Sequence, residues 1–314
     1  MFIGHGLVAF TIVAGLALLA GWDGERALAV GLLAGAFGLA PDVDILYAPV
    51  GLIGASGLLE AEAGFWAAGN AVHRGMTHSL LVGGAAAAAA GLWAAGTKPA
   101  RVLAAAVGTG IVAVGAGDGL LAAVILAAFV ATVFAIGSVG AHRAIAAHHV
   151  GAAAAVGLLS HPFGDLFTGG PPAFLYPLDD TLVAERVVLH PDPTLHLLAV
   201  FGLEVATMWA AAVVYLHATD RRMADYVSPH ATLGVGFAVA ALVLPSPTLE
   251  SPYRFVFGAL GIGMVSGVGR PRQWRAVLSR PAAAERLTAL DAALTALAAL
   301  TTALAAYGTL YLLL

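Results

Sequence analysis

The chain has 314 residues, of which 60% are hydrophobic and only 10% charged, with a mean hydropathy of +0.91. A water-soluble domain carries about 25% charged residues, so the composition excludes an ordinary soluble domain and points to an all-α, polytopic membrane bundle. The net charge of −4 offers no basic surface for nucleic acid, and the lack of cysteine excludes disulfides, thiolate metal sites and cysteine nucleophiles.

The N-terminus, MFIGHGLVAF, lacks a basic leader, so no cleavable signal peptide is expected. A spanning helix needs roughly 20 apolar residues. Two short apolar runs come first, 6–20 and 27–40, as short spans or as a helical hairpin tucked against the others. Longer runs follow at 77–96, 100–116, 119–139, 145–160, 194–217, 230–244, 253–268 and 287–313. The expected architecture is a bundle of about eight to ten spans, with short helices carrying a polar site at the membrane surface. Polar connections are expected at 41–76, 161–193, 218–229 and 269–286. Alanine-rich stretches such as 85–90 suit close helix packing in a bilayer.

Basic residues set the orientation. With ten spans, Arg26, Lys98, Arg101, Arg143, Arg221, Arg222, Arg270, Arg272, Arg275, Arg280 and Arg286 share one side. Only Arg74, Arg186 and Arg254 fall on the other. The richer side is expected to be cytoplasmic, with the 269–286 arginines at anionic headgroups. Acids lean the opposite way, with Asp42, Asp44, Asp165, Asp179 and Asp180 on the arginine-poor side. That side also receives the N-terminus and the segments 41–76 and 161–193.

Four polar clusters lie at the ends of apolar runs on that side: His5 in GHGLVAF; Asp42 and Asp44 in PDVD; His73, Arg74, Thr77, His78 and Ser79 in HRGMTHSL; and Ser160, His161, Asp165 and Thr168 in SHPFGDLFTGG. His161 and Asp165, four apart, share a helix face and offer a nitrogen and an oxygen to a metal such as zinc. His73 and His78 are five apart, and Gly75 permits a turn that lets the rings converge. Asp42 and Asp44 could serve one metal or two neighbouring ones. Each cluster taken singly has a plain structural reading: an interfacial histidine, a capped helix stop, an interface arginine, a loop start. Together, at one side and at membrane depth where ionisable groups are costly, they point to a shared site.

These stretches resemble the YdjM family of membrane-bound, predicted metal-dependent hydrolases. The resemblance rests on the Gly-His start, APDVD, HRGMTHSL and LLSHPFGDLFTGGPPAFLYPL, and covers residues 1–82 and 150–180. The histidine common in the family after the second aspartate is replaced here by Ile45. That family is in turn remotely similar to zinc-dependent phospholipase C and P1-type nucleases.

The resemblance implies a hydrolase-like membrane core over 1–193, with inserted spans at about 83–149, followed by C-terminal transmembrane helices over 194–314. It implies a membrane-embedded hydrolase, a phosphoesterase first, acting on a lipid or lipid-linked phosphate or ester through metal-activated water. Asp42, His73, His78, His161 and Asp165 are the expected ligands of a divalent metal, zinc first, in one or more copies. His5 and Asp44 are second-rank ligands, with Asp44 also a candidate proton acceptor. Arg74 is expected to clamp phosphate oxygens, with Thr77, Ser79 and Thr168 orienting the ligands.

Competing classes are an ion- or proton-coupled transporter using Glu204 and Asp291, which lie inside apolar runs, and a non-catalytic membrane partner protein. The histidine-rich stretch with His142, Arg143, His148 and His149 reads as a solvated helix start on the cytoplasmic side. His190, Asp192 and His196 read mainly as part of a turn before the next span. Oligomeric state is left open.

Overall fold

The structure is a computed structural model that describes residues 2–178, 181–268 and 289–314. The arginine-rich stretch 269–286, with its expected lipid contact, lies outside the described residues, as do Asp179 and Asp180. Among the described residues every regular element is helical, as the composition predicts. The chain divides into two compact units, Met1–Val187 and Val188–Leu314.

The first unit contains α1 (Phe2–Leu19), α2 (Gly24–Leu39), a 3₁₀ run (Ala40–Leu52), α3 (Leu58–Val72), a 3₁₀ turn (Met76–His78), α4 (Leu80–Ala94), α5 (Lys98–Asp118), α6 (Leu120–His142) and α7 (Ala147–Asp165). Side-chain caps mark several starts: Asp23 accepts from Arg26 N at 2.9 Å before α2, and Ser79 accepts from Leu81 N at 3.1 Å before α4. Gly119, at φ +118°, separates α5 from α6 in a conformation that side chains rarely adopt. The segment 41–76, expected as a polar connection, is instead largely helical. Pro41 at the start of the 3₁₀ run ends the regular α2 ladder, and α3 folds back on that run.

Lipid tails give helices no hydrophobic reason to associate, so close packing through small residues must do it. The α1–α2 hairpin shows this: a Cβ at Gly38 would lie 2.9 Å from the His5 carbonyl oxygen. A Cβ at Gly157 of α7 would lie 2.6 Å from both Ala34 O and Gly38 N of α2. Below these crossings Leu33, Phe37, Leu126, Phe129, Val150 and Leu158 form the core. The tight approach of α1, α2 and α7 fixes the ends of those helices against one another, and the polar clusters sit at those ends.

The second unit contains α8 (Pro193–Ala218), 3₁₀ turns at Met223–Asp225 and Pro229–Val239, α9 (Ala240–Val243), α10 (Tyr253–Val268) and α11 (Ala289–Leu313). Its core is aromatic, with Phe201, Phe237, Phe255 and Tyr307 in mutual contact. By length and composition, five segments among the described residues can cross a membrane: Gly24–Leu52, α5, α6, α8 and α11. Four shorter apolar segments accompany them: Ile3–Leu19, α4, Pro229–Val243 and α10.

Candidate metal centre

α1 starts, α2 ends, α4 starts and α7 ends at one place in the first unit, and there all four polar clusters meet. His5, His78, His161, Asp44 and Asp165 are each no more than 3% exposed. Asp42, His73 and Arg74 form the rim, with side chains 13%, 10% and 22% exposed.

In a 3₁₀ run, at 3.0 residues per turn, residues two apart point about two-thirds of a turn apart. Asp42 and Asp44 accordingly face different ways. Asp42 Oδ1 lies 3.4 Å from His161 Nε2 and 3.8 Å from His78 Nε2. Asp44 lies behind the histidines: Oδ1 is 3.1 Å from His73 Nδ1, and Oδ2 accepts from Thr77 Oγ1 at 3.0 Å. Asp44 was expected as a second-rank ligand or a proton acceptor, and both of its oxygens are engaged in holding other side chains.

The turn that Gly75 was expected to permit does form between the two histidines, and its left-handed residue is Arg74, at φ +65°. The rings of His73 and His78 do converge, edge to face with centroids 4.9 Å apart. His161 and Asp165 share a face of α7 as their spacing predicts, with Nε2 and Oδ2 3.8 Å apart.

Hydrogen bonds fix two tautomers. The Gly38 carbonyl can only accept, so His161 Nδ1, 2.6 Å away, carries the hydrogen. Thr77 has one hydroxyl hydrogen and gives it to Asp44, so its oxygen accepts from His78 Nδ1 at 2.9 Å. In the neutral rings both Nε2 atoms are then bare, and they face each other at 3.0 Å. Asp165 Oδ2 lies 3.1 Å from His78 Nε2, yet it is buried without a hydrogen bond. Bare nitrogens and a carboxylate oxygen this close repel unless a cation lies among them.

The spacing suits a metal better than a single shared proton, which would satisfy only one pair. Tetrahedral zinc donors at 2.0–2.1 Å from the ion stand about 3.3–3.4 Å apart. Five of the six separations among His78 Nε2, His161 Nε2, Asp165 Oδ2 and Asp42 Oδ1, all but that between the two carboxylates, run from 3.0 to 3.8 Å. Every group of three among the described residues with donor atoms close enough to hold an ion draws on His5, Asp42, His73, His78, His161 and Asp165. His5 stacks on His161, centroids 3.8 Å apart, and its Nε2 lies 3.2 Å from Asp165 Oδ1. Burial pushes the His78 imidazole below its ordinary value of 6.5, against the pull of Asp165, so the ring is neutral and free to ligate at neutral pH.

Thr168 accepts from Arg74 Nη2 at 2.9 Å. Ser79, expected to orient a ligand, caps α4 and donates to Tyr176 O at 2.7 Å, holding the following loop. Ser160 donates only to its own helix, to Gly157 O at 3.4 Å. The Gly38 carbonyl has a role no motif signalled; only the small-residue spacing of α2 marks it. His148 and His149 stand at the far end of α7, about 20 Å along the axis from His161 at 1.5 Å per residue. His190 and Asp192 serve the start of α8, where Asp192 accepts from Leu195 N at 2.8 Å and His190 from Asp192 N at 3.0 Å. Glu204 and Asp291 belong to the second unit, on α8 and α11.

An all-helical integral membrane protein whose buried His/Asp cluster can hold a metal is thus the class that fold and site define. The chain belongs to the family described as YdjM inner membrane protein, whose sequence profile matches residues 1–243. The match runs through 83–149 as well as the motif-bearing segments. No curated protein and no solved structure matches it.

Proposed function

We propose that the chain is a membrane-embedded metal-dependent hydrolase, a phosphoesterase acting on a lipid or lipid-linked substrate. The observation that carries this reading is the convergence of bare His78 Nε2 and His161 Nε2 with Asp165 and Asp42 oxygens, beside an arginine, at the ends of apolar helices. Those four residues would hold the ion, zinc by its preference for nitrogen and oxygen donors at these spacings. A bound divalent ion supplies a Lewis acid and a water whose pKa falls to about 7.

The chain's own groups do the rest. Gly38 and Thr77 fix the two ring tautomers, and His5 holds Asp165 and stacks on His161. Asp44 orients His73 through Nδ1, which leaves the other nitrogen of that rim histidine to accept a proton from the attacking water. Arg74, always charged, meets the phosphate oxygens. The arginine bias of the loops supports a site on the non-cytoplasmic face, and the apolar helices around it support a lipid substrate.

The test is hydrolysis of phosphomonoester and phosphodiester lipids in mixed micelles by purified protein, with released phosphate or headgroup measured. Activity abolished by a chelator and in His78→Ala and Asp165→Ala is the expected result. Metal-replete protein that cleaves none of these lipids would remove the phosphoesterase reading.

A further inference from the structure

We infer that residues 168–173 form a seat that fixes the Arg74 guanidinium beside the metal donors, that Gly169 is its positioning residue, and that the ligand served is a tetrahedral oxyanion of the phosphate class. The anion's identity rests on the hydrolase reading above; the seat rests on geometry alone.

A Cβ at Gly169 would lie 2.5 Å from Arg74 Cζ and 3.0 Å from Nη2, and would overlap Nη1. The guanidinium therefore lies against bare backbone, in space that any side chain at 169 would take. One edge is held by the bond from Nη2 to Thr168 Oγ1 at 2.9 Å. The main chain of Arg74 is held as well: it sits at φ +65°, and its carbonyl accepts from Ala173 N at 2.9 Å. A non-glycine residue in that region is uncommon and persists where surrounding structure enforces it.

A counter-ion role for Asp165 does not account for this arrangement. Arg74 Nε stands 3.8 Å from Asp165 Oδ2, and it is buried without a hydrogen bond. The fork is held close to the donors and is not spent on them. A planar, fixed guanidinium matches two oxygens of a phosphate, whereas a neutral acyl ester gives it no ionic partner. Holding the side chain in advance also spares the rotamer entropy that a mobile arginine loses on binding.

The experiment compares wild type, Gly169→Ala, Gly170→Ala, Arg74→Ala and the Gly169→Ala/Arg74→Ala double variant. Gly170 is the control, since a Cβ there meets nothing within 4 Å. Thermal melts read the seat directly. Gly169→Ala should lower the melting temperature when Arg74 is present and have little effect when residue 74 is alanine, and Gly170→Ala should leave it unchanged. Calorimetric titration of inorganic phosphate into the metal-loaded proteins reads the ligand. Affinity should fall about tenfold or more in Gly169→Ala and Arg74→Ala, with metal content retained, and hold in Gly170→Ala. An equal melting shift in both backgrounds, or wild-type phosphate affinity in Gly169→Ala, overturns the seat. Coupled melts with no phosphate binding by wild type keep the seat and overturn the anion, and the phosphoesterase reading with it.

Discussion

His78 Nε2 and His161 Nε2 face each other at 3.0 Å, and when the rings are neutral the hydrogen of each is committed elsewhere, one to Thr77 and one to the Gly38 carbonyl. This pair joins the start of α4 to the end of α7, 83 residues apart in sequence. It sits in a first unit where Asp42 brings an oxygen to His161 and Asp165 brings one to His78.

Thr77 is the hinge of one tautomer, so Thr77→Val should weaken metal binding without removing a ligand. Loss of such a supporting hydrogen bond typically costs about 10–100-fold in metal affinity. Competition titration against a chelating dye measures it. Thr77→Ser, which keeps the hydroxyl, should bind like wild type; equal affinity in Thr77→Val would show that the bond to His78 does not set the site.

His73 and His78 should separate by function. His73 stands at the rim with Nδ1 on Asp44, so His73→Ala should retain the metal and lose hydrolysis. His78→Ala should lose both. Metal analysis and lipid hydrolysis on the same preparations decide this, and loss of metal from His73→Ala would make His73 a ligand.

Acid should act on the metal-free protein in part through His78. Burial holds its folded value below 6.5, so between the two values the unfolded chain binds a proton that the folded ring refuses. Stability is then full above about pH 6.5 and falls as pH drops through the folded value. Melts of chelator-treated protein from pH 8 to pH 5 should show that decline, and His78→Gln should make it shallower. Parallel curves for the two proteins would contradict the assignment.

Much of this was legible in the sequence because charge is expensive in a bilayer. Polar residues at the ends of apolar runs stood out, and HRGMTHSL with SHPFGD named residues that the fold brings within 4 Å of one another. The spacing of His161 and Asp165 translated directly into a helix face. The division of labour between Asp42 and Asp44 did not, because it depends on a 3₁₀ run that Pro41 starts and whose 120° step turns neighbours away from each other. The helix α3 was hidden in a segment too polar to read as a span. The Gly38 carbonyl left no mark beyond the small-residue spacing of α2 because a backbone acceptor carries no side-chain signature, and Gly169 left none because a glycine's role lies in what occupies the space beside it.

The crossing of α2 and α7 should tolerate no added methyl. Gly157→Ala places a Cβ 2.6 Å from two backbone atoms of α2, where nothing flexible can yield. Overpacking of this kind costs about 1–3 kcal/mol, and displacement of α7 should also stretch the bond from His161 to Gly38. Denaturation in detergent with metal affinity measured alongside should show both falling. Unchanged stability would mean that the helices separate without cost.

The central claim is that His78, His161, Asp165 and Asp42 hold one metal. Elemental analysis of the purified wild type, set beside His161→Ala and Asp165→Ala preparations that melt cooperatively, tests it most directly. The account predicts a stoichiometric divalent ion, zinc first, in wild type and its loss in both variants. A folded wild-type protein that takes up no divalent ion, or variants that keep a full complement, would contradict it.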